Sequence, residues 1–357
     1  MTRFIVRRVG LMIIVFAGLV VVAFLLTHVL PGDPAQAAAG RNATAAQVAL
    51  VRARLGLNDS LIVQFWRYLR GLLRGDLGTS VFTHGPVMSD IGQVLPSSIE
   101  LVIAAMVINV VVAVPLGVLS AYRQGRLADI AARLVVVLGA AVPVFWLGLI
   151  LQLVFADQLK ILPLSGQLGF GYSVPHRTGI VTLDALLAGE PSAFFDAVAH
   201  LVLPAVTLAA AFIAVITRTV RSSMLGVLEA DYITLARATG ASEWRVVIQH
   251  GLRNALLPTT TILGMQLGWM LGATVLVEST FNRTGIGAYM VTAVLQDDLY
   301  AVIGSILVIG VVFIVANFLV DLLQLWLNPR LRETGRSSAS SPGAGGAGID
   351  VPLELAR

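Results

Sequence analysis

The stretch Leu101-Val-Ile-Ala-Ala-Met-Val-Ile-Asn-Val-Val-Val-Ala-Val-Pro-Leu-Gly-Val-Leu-Ser-Ala-Tyr122 contains no Asp, Glu, Lys or Arg. A helix of about 20 residues crosses the roughly 30 Å hydrocarbon core of a bilayer and satisfies its own backbone hydrogen bonds there. Five more stretches share this character: Val9–Leu30, Leu134–Ala156, Ala197–Thr217, Asn254–Val277 and Leu299–Val320. Pro204 weakens the pattern in the fourth of the six spans. The first is too long for the roughly 7–15 apolar residues of a signal peptide, so it reads as an uncleaved span.

Composition agrees. The 357 residues are 57% hydrophobic and only 12% charged, against roughly 45–50% and 25% in soluble domains. A soluble globule cannot cover its surface with so little charge. Cysteine is absent, which excludes disulfides, thiol catalysis and cysteine metal sites. The single lysine, Lys160, lies between Leu159 and Ile161. No Gly-Lys-Ser/Thr triplet exists, so the chain has no P-loop and is not expected to hydrolyse nucleotide. Neither HExxH nor GxSxG occurs, and no two histidines have i, i+4 spacing. No catalytic residue, metal, cofactor or nucleic-acid partner is therefore expected.

Six spans place both termini on one side. Segments 1–8, 123–133, 218–253 and 321–357 carry 15 basic and 8 acidic residues, whereas 31–100, 157–196 and 278–298 carry 9 and 12. The short loops of the second set hold only Lys160, Arg177 and Arg283 as cations. By the positive-inside rule both termini are cytoplasmic. No span contains Lys, Arg, Asp or Glu, which argues against a secondary transporter, since that class needs ionisable groups in mid-membrane. The neutral polar span residues Asn109, Gln152, Gln266 and Asn317 read as helix–helix hydrogen bonds before substrate ligands.

Outside the membrane, Pro31-Gly-Asp-Pro34 stops the first span. Thr44 caps an expected helix ending at Leu55, and Leu61–Leu73 reads as a second, with Arg67, Arg70 and Arg74 on or near one face. These are either amphipathic helices on the outer membrane surface or a docking surface or gate. Loop 157–196 is irregular in its first half, with a short helix at Thr182–Leu187. Residues 335–348, rich in Gly, Ser and Ala, read as disordered. The domain reading is 1–100 for the first span and outer loop, 101–330 for the core, and 331–357 for the tail.

In the fifth span Gly264, Gly268 and Gly272 share one face. Such glycines allow close helix approach. They serve packing within the chain, contact with a second membrane subunit together with Gln266, or a pathway wall.

Segment 218–253 is too polar for lipid. Ser222–Thr239 reads as a helix ending at Gly240, a suitable C′ residue. Ser242 caps a second short helix with Glu243 in its first turn, and Gly251 ends it. Small Ala236 and Gly240 lie at the base, with Arg237, Arg245 and Arg253 around it. A helix–Gly–helix hairpin points to docking of a partner.

Tyr232-Ile-Thr-Leu-Ala-Arg-Ala-Thr-Gly240 followed by His250-Gly-Leu-Arg-Asn-Ala-Leu-Leu-Pro258 resembles the EAA loop of ABC-importer permeases, in the first permease subunit of the peptide branch. Arg3-Phe-Ile-Val-Arg-Arg8, Leu30-Pro-Gly-Asp-Pro34, Leu55-Gly-Leu57, Gly75-Asp-Leu-Gly78, Pro143-Val-Phe-Trp-Leu-Gly148, Leu162-Pro-Leu-Ser-Gly166 and Asn328-Pro-Arg330 extend the resemblance over nearly the whole chain. In the general pattern Thr234 and Leu235 stand for the Glu and first Ala, His250 for the Ile and Arg253 for the Pro. Ala236, Gly240 and Leu252 keep it.

The resemblance implies an all-α, six-span permease of type I fold in the bacterial inner membrane. It implies a second permease subunit, two cytoplasmic ATP-binding subunits and an extracytoplasmic substrate-binding protein delivering di- or oligopeptides. The ATPases would bind 232–253. Similar permeases import nickel, glutathione or other small solutes, which is the alternative within the class.

Overall fold

In a computed structural model, residues 2–29, 34–40 and 43–327 are described. All regular elements among them are helical. The tail 331–357 and the motif at 328–330 lie outside the described residues, as does most of the Pro31–Pro34 turn.

The first crossing is α1 (Thr2–Val29). Three helices follow it: α2 (Pro34–Ala39), α3 (Ala45–Leu55) and α4 (Leu61–Leu73). Thr44 caps α3 as its sequence promises. The Thr44 hydroxyl accepts from the Gln47 amide while the Gln47 side chain accepts from the Thr44 amide, a reciprocal capping box.

Two rods form the centre, α5 (Val87–Tyr122) and α9 (Pro191–Leu228), of 36 and 38 residues. They pack along much of their length. Gly117 permits this closeness, because a Cβ there would lie 2.7 Å from Val220 Cβ and 2.8 Å from the Thr217 carbonyl oxygen. Pro191 starts α9 at a position where a missing amide costs nothing, and α9 runs through Pro204 without a break.

The third span departs from a single rod. It is α6 (Leu127–Ala141) and α7 (Val144–Leu151), divided at Pro143. Val142 is extended (φ −87°, ψ 130°), as steric conflict with a following proline ring requires. A π-type segment, Gln152–Gln158, continues α7. Among the described residues, five other helices are long and apolar enough to cross a membrane.

The short helix α8 (Val181–Ala188) precedes α9, and α10 (Asp231–Ala238) follows it. Then come α11 (Arg253–Thr280), α12 (Ile286–Leu295) and α13 (Leu299–Leu327). A core of Leu101, Val102 and Ala105 with Leu203, Leu208, Met270, Leu271 and Phe281 joins α5, α9 and α11. A second core, with Ala113, Ile216, Val220, Met224, Val247 and Ala255, lies at their other end. Helix α13 flanks α11, and α1 packs on α13 and α4. Arg8 of α1 pairs with Asp321 of α13, so the start of the first crossing and the end of the last lie at the same end of the bundle.

Gly264 and Gly268 let α13 approach α11. Added Cβ atoms would meet Val320 and Phe313 of the same chain at 2.6 and 1.8 Å. Gly272 is exposed and meets nothing within 4 Å. Two of the four neutral polar residues stitch elements together. Gln152 Nε2 donates to the carbonyls of Leu164 and Thr280, and Gln266 Nε2 to that of Phe212. Asn317 bonds within its own helix. Asn109 is fully buried, and neither of its amide atoms has a partner among the described residues.

Candidate functional site

The segment between α9 and α11 is an ordered hairpin fastened to the inner core. Helix α9 stops at Leu228 and Ala230 is extended (φ −72°, ψ 146°). The expected single helix Ser222–Thr239 is therefore two, with the chain turning at Glu229–Ala230 so that α10 folds back. Fully buried Ile233 anchors α10, and the Tyr232 hydroxyl accepts from Asn254 Nδ2 at 3.0 Å.

Gly240 closes α10 as expected. Its φ is +82°, a region that residues with a Cβ enter at a cost. The Gly240 amide donates to the Arg237 carbonyl at 3.0 Å and the Ala241 amide to the Ala236 carbonyl at 3.1 Å. This pair of bonds is the Schellman motif, which satisfies the last carbonyls of a helix.

The second helix begins at Glu243, beside Ser242, whose carbonyl accepts from the Val246 amide. Gly251 does not end it, which corrects the sequence reading. The chain runs from Arg245 to Leu252 in π-type turns straight into α11. Gly251 lacks a side chain for another reason: a Cβ there would stand 3.3 Å from Met224 Cε and 3.3 Å from the Val246 carbonyl. Its bareness seats the hairpin against α9.

The named residues divide clearly. Val246, Val247 and Gly251 face inward, with Leu252 half-buried beside them. Thr234, Leu235, Arg237, Gly240, Ser242, Glu243, Arg245 and Arg253 are exposed, and Ala236 is half-buried. Arg237 Nε donates to Glu243 Oε1 at 3.0 Å across the turn. Both are largely exposed, so the pair fixes geometry more than stability.

Sequence reasoning missed Trp244. Its side chain is 76% exposed and that of Leu235 65%, within a segment holding Asp231, Arg237, Glu243 and Arg245. Large apolar groups in a polar projection face neither lipid nor core, and such patches mark protein contacts. The available signal was an aromatic residue amid charges.

A second polar constellation sits at the opposite end of the bundle. Arg283, on the turn after α11, pairs with Glu100 of α5; their side chains are 1% and 5% exposed. Glu100 Oε1 also accepts from the Thr182 amide and hydroxyl at 3.1 and 2.5 Å. Glu278 accepts from the Ser98 hydroxyl at 2.5 Å and from the amides of Gly287 and Ala288 at 2.8 and 3.1 Å. Burial pushes the Arg283 guanidinium down from its usual value, while the Glu100 and Glu278 carboxylates pull it back up. These acids were assigned to loop edges, because charge-free spans were cut where they begin. Near them the loop after α7 carries Phe170, fully exposed between Gly169 and Gly171.

A bundle of membrane-length helices bearing an ordered, exposed polar hairpin defines a multi-pass membrane protein. Comparison gives the class a family. Residues 113–333 match the binding-protein-dependent transport system inner membrane component, and residues 1–102 match the N-terminal region of such membrane components. The chain belongs to this family of inner-membrane transport components.

It is 41% identical over 325 residues to the probable D,D-dipeptide transport system permease protein DdpB of Escherichia coli strain K12, covering 91% of this chain and 96% of that protein. It is 39% identical over 334 residues to the di/tripeptide transport system permease protein DppB of Pseudomonas aeruginosa strain UCBPP-PA14, covering 93% and 99%. To the glutathione transport system permease protein GsiC of Salmonella paratyphi A it is 35% identical over 332 residues, covering 93% and 99%.

Proposed function

We propose that the chain is one of two permease subunits of an ATP-driven importer and that its cargo is a di- or oligopeptide. The observation that carries the coupling reading is the 231–253 hairpin, rooted in the α5–α9–α11 core and exposing Leu235 and Trp244. An ATPase gripping this hairpin would act on the ends of α9 and α11 directly. The chain itself supplies no nucleotide-binding loop, so hydrolysis falls to the partners. Dipeptide permeases among its relatives support the peptide cargo over nickel or glutathione.

The pathway would run beside the exposed face of α11, where Met265, Trp269, Gly272 and Leu276 are exposed and nothing lies within 4 Å of a Cβ on Gly272. That face would meet the second permease subunit. The binding protein would dock at the opposite end, on the Phe170 loop and the 31–100 segment. In vesicles holding all subunits, uptake of a labelled dipeptide should require ATP and binding protein and survive collapse of the proton gradient. Uptake by this chain alone, driven by a pH gradient, would sink the reading and revive a secondary transporter.

Orientation is tested separately, with no background because the chain lacks cysteine. Ser242→Cys should react with an impermeant thiol reagent only after the inner face is opened. Ser192→Cys should react in intact spheroplasts. The reverse pattern would place the termini outside.

A further inference from the structure

A cavity of about 570 Å³ lies between α1, α3, α4 and the start of α13. That volume falls within the roughly 300–1,000 Å³ of small-molecule sites, and the peptide path placed beside α11 does not pass through it. Arg52 of α3 and Arg67 of α4, two cationic residues, line its wall. Asp76, on the turn after α4, brings a carboxylate.

Arg67 is held in a built position. Its Nη2 donates to Asp59 at 2.6 Å. Its Nη1 lies 1.6 Å from where a Cβ on Gly56 would be, and Gly56 has φ +64°. The guanidinium thus lies flush on a turn that only glycine leaves open. Asp76 is oriented by the Gly78 amide, which donates to Oδ1 at 2.9 Å. Tyr68 also lines the cavity, and its buried hydroxyl has no partner among the described residues.

The surroundings fix the depth. Helix α1 exposes Ile14, Val15, Val22 and Leu25, a surface for acyl chains. Helix α4 exposes Leu61, Ile62 and Trp66 beside Arg67 and Arg70, the pattern of a helix lying in the headgroup region. The cavity therefore opens where headgroups meet hydrocarbon, on the periphery and away from the α5–α9–α11 centre.

We propose that this cavity seats one glycerophospholipid whose headgroup carries both a phosphate and a primary ammonium. The phosphate lies on Arg52 and Arg67, charge-assisted contacts that guanidinium groups make well. The ammonium faces Asp76, and an acyl chain leaves past Phe24 along α1. A dipeptide also carries an ammonium and an anion, but the lipid-side position of the cavity favours the phospholipid.

The test is native mass spectrometry of the chain co-purified with its partner permease, delipidated and then given defined lipid. Wild type should retain one phosphatidylethanolamine, at least about five-fold over phosphatidylglycerol. Asp76→Asn should erase that preference. Arg67→Gln should lower retention of both lipids about five-fold, and Arg70→Gln should change nothing. Thr27→Phe narrows the cavity without touching a charge and should lower retention too, which keeps the test decisive if an arginine variant fails to co-elute with its partner. Equal retention of the two lipids by wild type, or unchanged retention in Thr27→Phe and Arg67→Gln, overturns the proposal. Displacement of the lipid by millimolar dialanine or inorganic phosphate overturns it as well, in favour of a peptide or a free-anion site.

Discussion

Arg283→Met should cost the protein most of its thermal stability in detergent. The substitution leaves the Glu100 carboxylate buried against Thr182 with its cation gone. Breaking a buried pair from one side typically costs about 3–5 kcal/mol, a large share of the roughly 5–15 kcal/mol that holds a folded domain. Fluorescence-detected gel filtration after heating would show the monodisperse peak collapsing well below the wild-type temperature. The double variant Glu100→Gln/Arg283→Met removes both charges and should recover much of the loss. Equal melting of single and double variants would mean that the pair is not what joins α5 to the turn after α11.

The second large effect should be on transport, with stability spared. Trp244→Ala removes an indole that the chain itself leaves mostly exposed, so the permease should insert and purify normally. If Trp244 is an anchor in the ATPase contact, its truncation costs about 2 kcal/mol or more, near thirty-fold in attachment. Gly240→Leu acts differently. Nothing lies within 4 Å of its Cβ position, so the first atom of the new side chain enters open space. The left-handed conformation at φ +82° still costs a residue with a Cβ about 1–2 kcal/mol, and on the proposed coupling role the leucine would project into the ATPase contact. Both variants should lose ATPase co-purification and peptide uptake together. Retention of both functions at wild-type level would remove the hairpin from the coupling role.

Much of this architecture is legible in one dimension. Charge-free runs mark where lipid must be, and the Thr44–Gln47 spacing announces a reciprocal cap that the structure contains. The expected helix Leu61–Leu73, with its arginines on or near one face, has the bounds of α4. What stays hidden has physical causes. Hydropathy registers only lipid-soluble stretches, so α5 and α9 seem to end where polar residues begin, although tertiary packing carries each helix well beyond.

The same rule hides Glu100 and Arg283, whose burial depends on a pairing between residues far apart in the chain. Pro143 was in view, yet the apolar letters around it outweighed the steric consequence for Val142. Gly251 shows that a glycine near a helix end has two meanings, a left-handed stop or a bare packing surface. Only the neighbour, here Met224, decides between them. In the candidate site, Gly240 and the charged residues were readable from turn chemistry. Trp244 was not, because periodicity alone does not tell an outward aromatic from an inward one.

The unbroken length of α9 has a mechanical consequence. From Pro204 to Leu228 is about 36 Å of helix and from Pro204 back to Pro191 about 20 Å, at 1.5 Å per residue. Pro204 is the one proline in the interior of this rod, and a proline there has no amide to donate to the preceding turn. Treated as a lever with its fulcrum there, α9 has unequal arms, and any tilt displaces its hairpin end nearly twice as far as its other end. A stroke of several ångströms applied at the hairpin would thus arrive beyond the fulcrum as a shorter movement delivered with greater force.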